Sequence, residues 1–429
     1  PAPTPAQMSL SIGDRIETTD KLKVRSGPRI SSGITPTGVQ LKGAKGTIIA
    51  GPTTANGYTW WEVDYDSGPD GWSAEPWLQK TVGTAPSPTP PPTTGGGGGG
   101  GTPPPAPSVS LPILNIIGSV ASSTLLKGVV AVDIQGNYAY LTDERSDALI
   151  IVDISNPTSP QIVGSVQDNA ILEAARNVDV AGNYAYVLGG ARASNIARLV
   201  IVDVSNPASP TIVSSLNMPL SNGRRKAFNV RVSGNYAYVT GYSSNIFHVV
   251  DISNPQAPVI VGSVTDSRFA YLGGIAMSGN YAYVNGSFDY VSVVDVSNPT
   301  LPQVVGSIND SKIDRPLSIY ISGMYAYVAS ALNDSLVILD ISDHTKPVIV
   351  GSVIDSYNLG YPTSVFVSGN YAYLTTLYGS RFTKVDVSDP TSPKVVAATV
   401  ITPTIQSHNY GYGVYVKGQY AYVTSWNGL

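Results

Sequence analysis

Residues 130–166 read VAVDIQGNYAYLTDERSDALIIVDISNPTSPQIVGSV, and this stretch decides the fold. Four short runs of Val, Ile, Leu and Tyr are broken by turn-forming residues, the pattern of strands. The first run, VAVDIQ, stops at Gly136-Asn137, a pair suited to a tight hairpin. The second is YAYL and the third is LIIVD. Ser155-Asn156-Pro157 then supplies a turn, because Asn bonds to its own backbone and Pro cannot continue a ladder. The fourth run is QIVGSV. Four short antiparallel strands in chain order make one blade of a β-propeller.

The stretch recurs down the chain. The tripeptide YAY begins at Tyr138, Tyr184, Tyr236, Tyr281, Tyr325, Tyr371 and Tyr420. A period of about 45 residues belongs to propellers or helical arrays, and the Val/Ile/Tyr runs broken by Gly, Asn and Pro exclude helical arrays. Seven first strands and seven YAY strands predict a seven-bladed propeller over residues 108–429. Leu111–Val120, LPILNIIGSV, has the form of a fourth strand without a blade of its own. It is expected to close the ring as the outer strand of the blade that begins at Gly413. That last blade is incomplete, since YAYVTSWNGL is followed by no third run. An open strand edge invites pairing with another chain. The first expectation is that the natural chain continues and its next residues form the missing strand. The alternative is self-association through this blade, with the tail Pro1–Ser11 as candidate donor.

Upstream, the composition shifts twice. Residues 81–107, TVGTAPSPTPPPTTGGGGGGGTPPPAP, form a linker with extended Pro-rich ends and a flexible Gly middle. Residues 1–9 are a short tail. Residues 10–80 are a compact unit carrying Trp60, Trp61, Trp72 and Trp77, four of the five tryptophans.

The whole chain has 429 residues, of which 42% are hydrophobic and 13% charged, with a net charge of −4. The absence of a basic block makes nucleic acid an unexpected partner. No apolar run reaches the roughly 18 residues of a membrane span. With no cysteine, disulfides, thiolate nucleophiles and Cys-ligated zinc are excluded. The first residue is Pro1, which points to a processed, exported chain.

Two resemblances follow from these residues. The LIIVD, LVIVD and LVILD cores followed by a Ser-Asn-Pro or Ser-Asp turn resemble the LVIVD-repeat propellers of bacterial and archaeal surface proteins. That resemblance covers residues 108–429 and implies a surface propeller with no agreed activity. His248 and Lys384 interrupt the third strand in two units. Residues 10–78 resemble a bacterial SH3 domain, through KLKVRSGP at Lys21–Pro28, GVQLKGAKGTIIAGP, YTWWEVDY and GPDGWSAEPWL. Lys23 stands where that family usually has Asn. This resemblance implies a small SH3-like barrel that contacts cell-wall glycan or peptide.

Candidate chemistry divides between the two bodies. In the barrel, alternation puts Trp60 and Trp61 on opposite faces of one strand. At least one is expected to be exposed for stacking, with Arg25, Tyr58 and Trp72 nearby. In the propeller, the loops joining fourth to first and second to third strands share one face. Those loops are irregular, as in IDSYNLGYP, whereas the other face repeats SGN and SNP. Recognition is usually placed on irregular loops. Eight residues before each first-strand glycine lie Gly128, Ala174, Lys226, Tyr271, Arg315, Tyr361 and Tyr410. First strands line the channel, so these should ring its mouth. Lys226, Tyr271, Arg315, Tyr361 and Tyr410 carry a Tyr-plus-cation mix suited to sugars, anions or peptides.

The recurring Asp153, Asp203, Asp251, Asp295, Asp340 and Asp386 precede turns and are expected to accept turn N–H groups. Asp168, Asp266, Asp310 and Asp355 follow fourth strands and are expected to be solvated turn residues. Neither set has calcium-loop spacing. His248, His344 and His408 share no spacing, so no metal centre and no cofactor are expected. No catalytic residues emerge. The expected function is a secreted cell-surface binding or adhesion protein, not an enzyme. The alternatives are a structural subunit of an extracellular filament or lattice and, third, a propeller lyase or hydrolase.

Overall fold

The computed structural model describes residues 10, 14–19, 22–25, 36–40, 42–55, 57–65, 71–80, 114–189, 197–219, 226–242, 245–269, 273–286, 289–401 and 411–425. The chain forms two compact units, 1–110 and 111–429. Among the described residues no helix is long and apolar enough to cross a membrane.

The first unit is a small SH3-like barrel built from one seven-stranded sheet. In spatial order its strands are Pro36–Gln40, Leu22–Arg25, Gly71–Ala74, Tyr58–Tyr65, Lys45–Ala55, Arg15–Thr18 and Leu78–Lys80. Ile16, Ile48, Trp61, Val63 and Leu78 fill one core. Trp60, Trp72 and Ala74 form a second cluster, with Tyr58 and Trp77 against it.

The second unit has seven sheets, six of four strands and one of two. The inner strands are Val129–Gln135, Ala175–Ala181, Lys226–Ser233, Ile275–Ser278, Pro316–Ser322, Pro362–Ser368 and Gly411–Lys417. Each packs against the next, and the seventh packs against the first, so the ring closes. Within a blade the chain runs from the inner to the outer strand. Tyr138 pairs with Gln135 across the first hairpin, and Asp153 pairs with Tyr138 across the next ladder. Apolar positions on second and third strands fill the spaces between blades. Leu149, Ile151, Val187 and Val200 are all fully buried in the space between the first two blades.

Two local devices recur at several blade boundaries. An inner strand is an edge strand, and its channel-side N–H groups need partners. Polar side chains of the preceding blade supply them. Asp133 Oδ2 accepts the Val180 N–H at 2.7 Å, and Asp179 Oδ2 accepts the Val232 N–H at 2.5 Å. Asn177 Oδ1 accepts the Val230 N–H at 3.0 Å, and Ser318 Oγ accepts the Val365 N–H at 3.2 Å. The second device is the outer-strand glycine. A Cβ on Gly164, Gly262 or Gly351 would overlap the carbonyl oxygen of Pro207, Pro299 or Pro390 in the next blade's turn. Glycine is required there by contact, not by backbone angle.

Ring closure differs from expectation in one respect. Residues 111–113 lie outside the described residues, and Leu114–Val120 forms no ladder. The strand that would pair with it is not present among the described residues. Even so, a Cβ on Gly118 would meet the Pro157 carbonyl of blade one, as its counterparts meet theirs. Leu114–Val120 therefore occupies the outer place of blade seven without pairing.

Candidate functional site

The irregular face of the propeller is built by two sets of loops that bond to each other. Asp168 N–H donates to the Asp147 carbonyl, and Asp355 N–H donates to the Asp334 carbonyl, so fourth-to-first and second-to-third loops meet. Asp147 and Asp334 each reach across the blade boundary. Their Oδ1 atoms accept the N–H of Ala174 and Tyr361, both at 2.8 Å. Ala174, Arg315 and Tyr361 share φ of 50–53°, a left-handed conformation uncommon for residues with side chains. Each of the three stands eight residues before a first-strand glycine, and Gly128, at the same spacing, does not share this conformation. Strain of this kind concentrates at functional sites.

The structure brings together two of the five rim residues read from sequence. The Arg315 guanidinium carbon lies 5.6 Å from the centre of the Tyr361 ring. Tyr361 in turn packs edge-on against Tyr378, with ring centroids 5.3 Å apart. Beside them Arg381 stacks on Tyr357 at 3.9 Å. Tyr357 and Tyr378 are 59% and 62% exposed, which is high for rings in such contacts. Arg315, Tyr357, Tyr361, Tyr378 and Arg381 thus form one cation–aromatic patch over blades five and six. Sequence reasoning missed Tyr357, Tyr378 and Arg381. The Lys226 side chain, Tyr271 and Tyr410 lie outside the described residues, as does His408.

Below the rim, a cavity of about 730 Å³ runs into the channel and is lined by all seven blades. One layer of it divides into two arcs. Asp133, Asp179 and Arg231 hold successive inner strands of blades one to three. Tyr320, Phe366 and Tyr415 hold those of blades five to seven, with ring centroids 4.5 and 4.7 Å apart. Arg231 Nη1 donates to Asp179 Oδ1 at 3.0 Å, and its Nε donates to the Ile275 carbonyl. Burial raises the pKa of both carboxyls, and the Arg231 charge opposes the rise. Asp179 is pushed up to about 6, with the Asp133 charge adding to burial.

This shift has a sign that can be tested. A raised folded-state pKa means that the fold binds a proton the unfolded chain has already lost. The Asp179 contribution is complete below about pH 4 and is lost as pH rises to about 6, by about 2–3 kcal/mol in all. The Asp179→Asn variant is expected to lose this slope. Urea unfolding across that window checks it, and an unchanged slope rejects the assignment.

The remaining candidate groups have structural partners. Asp153, Asp203, Asp251, Asp295, Asp340 and Asp386 each accept the N–H of the serine two residues on. Asp168, Asp266, Asp310 and Asp355 accept loop N–H groups in the same way. His248 is buried and bonded to Ser263 Oγ, and burial lowers its pKa. His344 stacks on Tyr281 and meets the Tyr283 hydroxyl. Among the described residues no three His, Cys, Asp or Glu side chains are grouped to hold a metal ion.

In the barrel, the expected exposed tryptophan is absent. Trp60, Trp61 and Trp72 are all buried, at 3%, 4% and 9% exposure. Trp60 and Trp61 do face opposite sides, but each side carries its own cluster. Trp60 Nε1 donates to the Ala55 carbonyl, and Trp61 Nε1 donates to Glu75 Oε2. Only Tyr58 of the barrel aromatics singled out from sequence is half-exposed, and it packs on Trp77 at 5.6 Å. Arg25 pairs with Trp72 along the backbone, and its side chain lies outside the described residues.

A closed ring of seven small antiparallel sheets around a lined channel defines a β-propeller. The LVIVD repeat model matches seven segments: 129–168, 174–218, 224–266, 271–310, 317–355, 359–399 and 410–429. These cover more than half of the chain, which belongs to the LVIVD-repeat family. No curated protein matches in sequence. Among solved structures, the chain is similar to a functionally unknown protein from Desulfotomaculum acetoxidans. That match has 14% identity and a TM-score of 0.52, and covers 66% of this chain and 93% of that one. It is similar also to the periplasmic gluconolactonase of Pseudomonas aeruginosa, at 11% identity and TM-score 0.53, covering 63% and 85%. A putative 6-phosphogluconolactonase from Bacteroides uniformis matches at 12% and 0.53, covering 69% and 87%. At these identities the likeness is one of fold.

Proposed function

We propose that this chain is a secreted bacterial or archaeal cell-surface binding protein that holds cell-wall glycan or peptide. The reading rests on the patch of Arg315, Tyr357, Tyr361, Tyr378 and Arg381. Two cation–aromatic pairs, Arg315 with Tyr361 and Arg381 with Tyr357, and the exposed Tyr378 ring packed on Tyr361 present flat faces and guanidinium donors on neighbouring loops. Sugars stack on such rings, and wall peptides offer carboxylates to such donors. The barrel, read as a bacterial SH3 domain, adds a second wall contact through Tyr58 and Arg25. Its buried tryptophans support the barrel and do not touch the ligand. The function is recognition without catalysis, in an extracellular setting, with neither nucleic acid nor membrane as partner.

Co-sedimentation of the full chain with purified peptidoglycan tests the proposal. The wild-type chain is expected in the pellet. The double variant Tyr357→Ala, Arg381→Ala is expected to bind at least about tenfold more weakly, the loss typical of removing central aromatic and Arg anchors. A chain that stays in the supernatant at low salt overturns wall binding. Equal binding by the double variant overturns the role of the patch.

A further inference from the structure

The channel cavity has a second layer above the one that holds Arg231. Five residues before the hairpin glycines, the inner strands place small or polar residues, nearer the irregular face. Asn177, Asn229, Ser318 and Ser364 give this layer amides and hydroxyls. Ala131, Gly274 and Gly413 keep the rest of it small. The fold uses these polar groups only in part. Asn177 Oδ1 and Ser318 Oγ cap strand N–H groups of the next blade, which leaves the Asn177 Nδ2 and the Ser318 hydroxyl hydrogen to donate. Asn229 stands at the place equivalent to Asn177, one blade on, yet its Oδ1 is buried without a hydrogen-bond partner. Such an atom is rare in a folded protein and calls for a reason. Rotation about its last side-chain bond turns that amide toward the cavity it lines, where a ligand can pair with it.

The lower layer sets the charge of the ligand. Ionised carboxylates only accept and a guanidinium only donates. Each oxygen of Asp133 and Asp179 takes one N–H, and each keeps a further lone pair. An anion placed there would face both carboxyls, and a cation would compete with Arg231 for them. A hydroxyl both donates and accepts, so it satisfies both kinds of group. On the other arc the half-buried rings of Tyr320, Phe366 and Tyr415 make an apolar wall. A sugar has this composition, with hydroxyls around its ring and C–H groups on its faces. The volume of about 730 Å³ falls within the range of small-ligand pockets.

We propose that the channel is a binding site for a short neutral saccharide, entered from the irregular face. Tyr361 and the Arg176–Glu144 ion pair line its upper end. The sugar hydroxyls bond to Asp133, Asp179, Arg231 and the Asn229 amide. Its C–H face lies against the arc of Tyr320, Phe366 and Tyr415. This site is separate from the rim pairs of Arg315 and Arg381, and it stands whether or not those pairs hold cell wall.

Isothermal titration of the full chain at neutral pH with cellobiose, maltose and di-N-acetylchitobiose tests the proposal. At least one of them is expected to bind, one per chain, with a Kd of about 1 mM or tighter. Asn229→Ala removes an amide whose oxygen has no partner in the fold. It is expected to weaken that binding at least about fivefold with the melting temperature unchanged. Ser364→Phe fills the upper layer and is expected to abolish binding. Circular dichroism checks that this variant is folded, and Asn229→Ala decides alone if it is not. Cellobiouronate and deacetylated chitobiose, which carry charge, are expected to bind at least about tenfold more weakly than their neutral counterparts. Three results would each overturn the proposal. One is no binding of any of the three neutral disaccharides up to about 10 mM. Another is undiminished binding by Asn229→Ala or by folded Ser364→Phe, which puts the sugar elsewhere. The third is a charged disaccharide binding as tightly as the neutral one, which marks recognition of charge. Soluble disaccharides involve no cell wall, so this result and the peptidoglycan sedimentation are read separately.

Discussion

Replacing Arg231 by methionine is expected to destabilise the propeller by about 2–3 kcal/mol near pH 7.5, and by clearly less near pH 5. Arg231 is the one cation in the channel layer that also holds Asp133 and Asp179, and it bonds directly to Asp179. Both carboxyls are tied to the next blade's backbone and cannot turn away without opening those bonds. Without the guanidinium, two carboxylates face each other in a poorly solvated place, and their pKa values rise further. Side-chain exposures of 37% for Arg231 and 15% for Asp179 place channel water beside the pair. The expected loss is accordingly set below the 3–5 kcal/mol of a fully buried broken pair. At lower pH the carboxyls take up protons and the missing cation matters less. Urea unfolding at the two pH values decides the matter. A loss independent of pH would mean that Arg231 acts only by filling space.

Gly262→Val is expected to cost about 3 kcal/mol, by overpacking against a fixed backbone atom. The Pro299 carbonyl that a Cβ would strike belongs to a tight turn, and the outer strand that carries Gly262 is paired along its length. Neither side can retreat cheaply. Gly118→Val makes the same clash with Pro157, but on a segment with no ladder to break. Its effect is expected to be smaller by about half, appearing as faster proteolysis before Leu126 and not as a lower melting temperature. Equal effects of the two substitutions would show that Leu114–Val120 is held as firmly as a true outer strand.

The propeller was legible because its repeat is carried by residues that the fold needs for separate reasons. The hairpin glycine, the YAY strand and the turn Asp each recur, so their spacing counts the blades. The rim positions were legible by the same counting, and Arg315 and Tyr361 do meet. Tyr357, Tyr378 and Arg381 were not found, because they come from loops whose lengths differ between repeats. The cluster in the channel left a signal that went unread. Asp133, Asp179 and Arg231 each stand three residues before a hairpin glycine, at Gly136, Gly182 and Gly234. Equal register on successive inner strands places them side by side. The tryptophans were misread for another reason. A small sheet that carries an apolar cluster on each face can bury both Trp60 and Trp61, so alternation alone does not expose either.

The unpaired segment at Leu114–Val120 also sets how the molecule carries tension. The linker delivers any pull on the barrel to this segment, because residues 81–107 lead directly into it. Every paired outer strand would resist such a pull with several backbone bonds at once. Here the resistance is the seat of Gly118 against Pro157 and the grip of Leu114 and Val120 on blade seven. Under load the segment is expected to peel away first, adding a short length of slack while the six complete blades stay folded. The chain would then yield in a small reversible step at one seam, like a sacrificial link, before any blade ruptures.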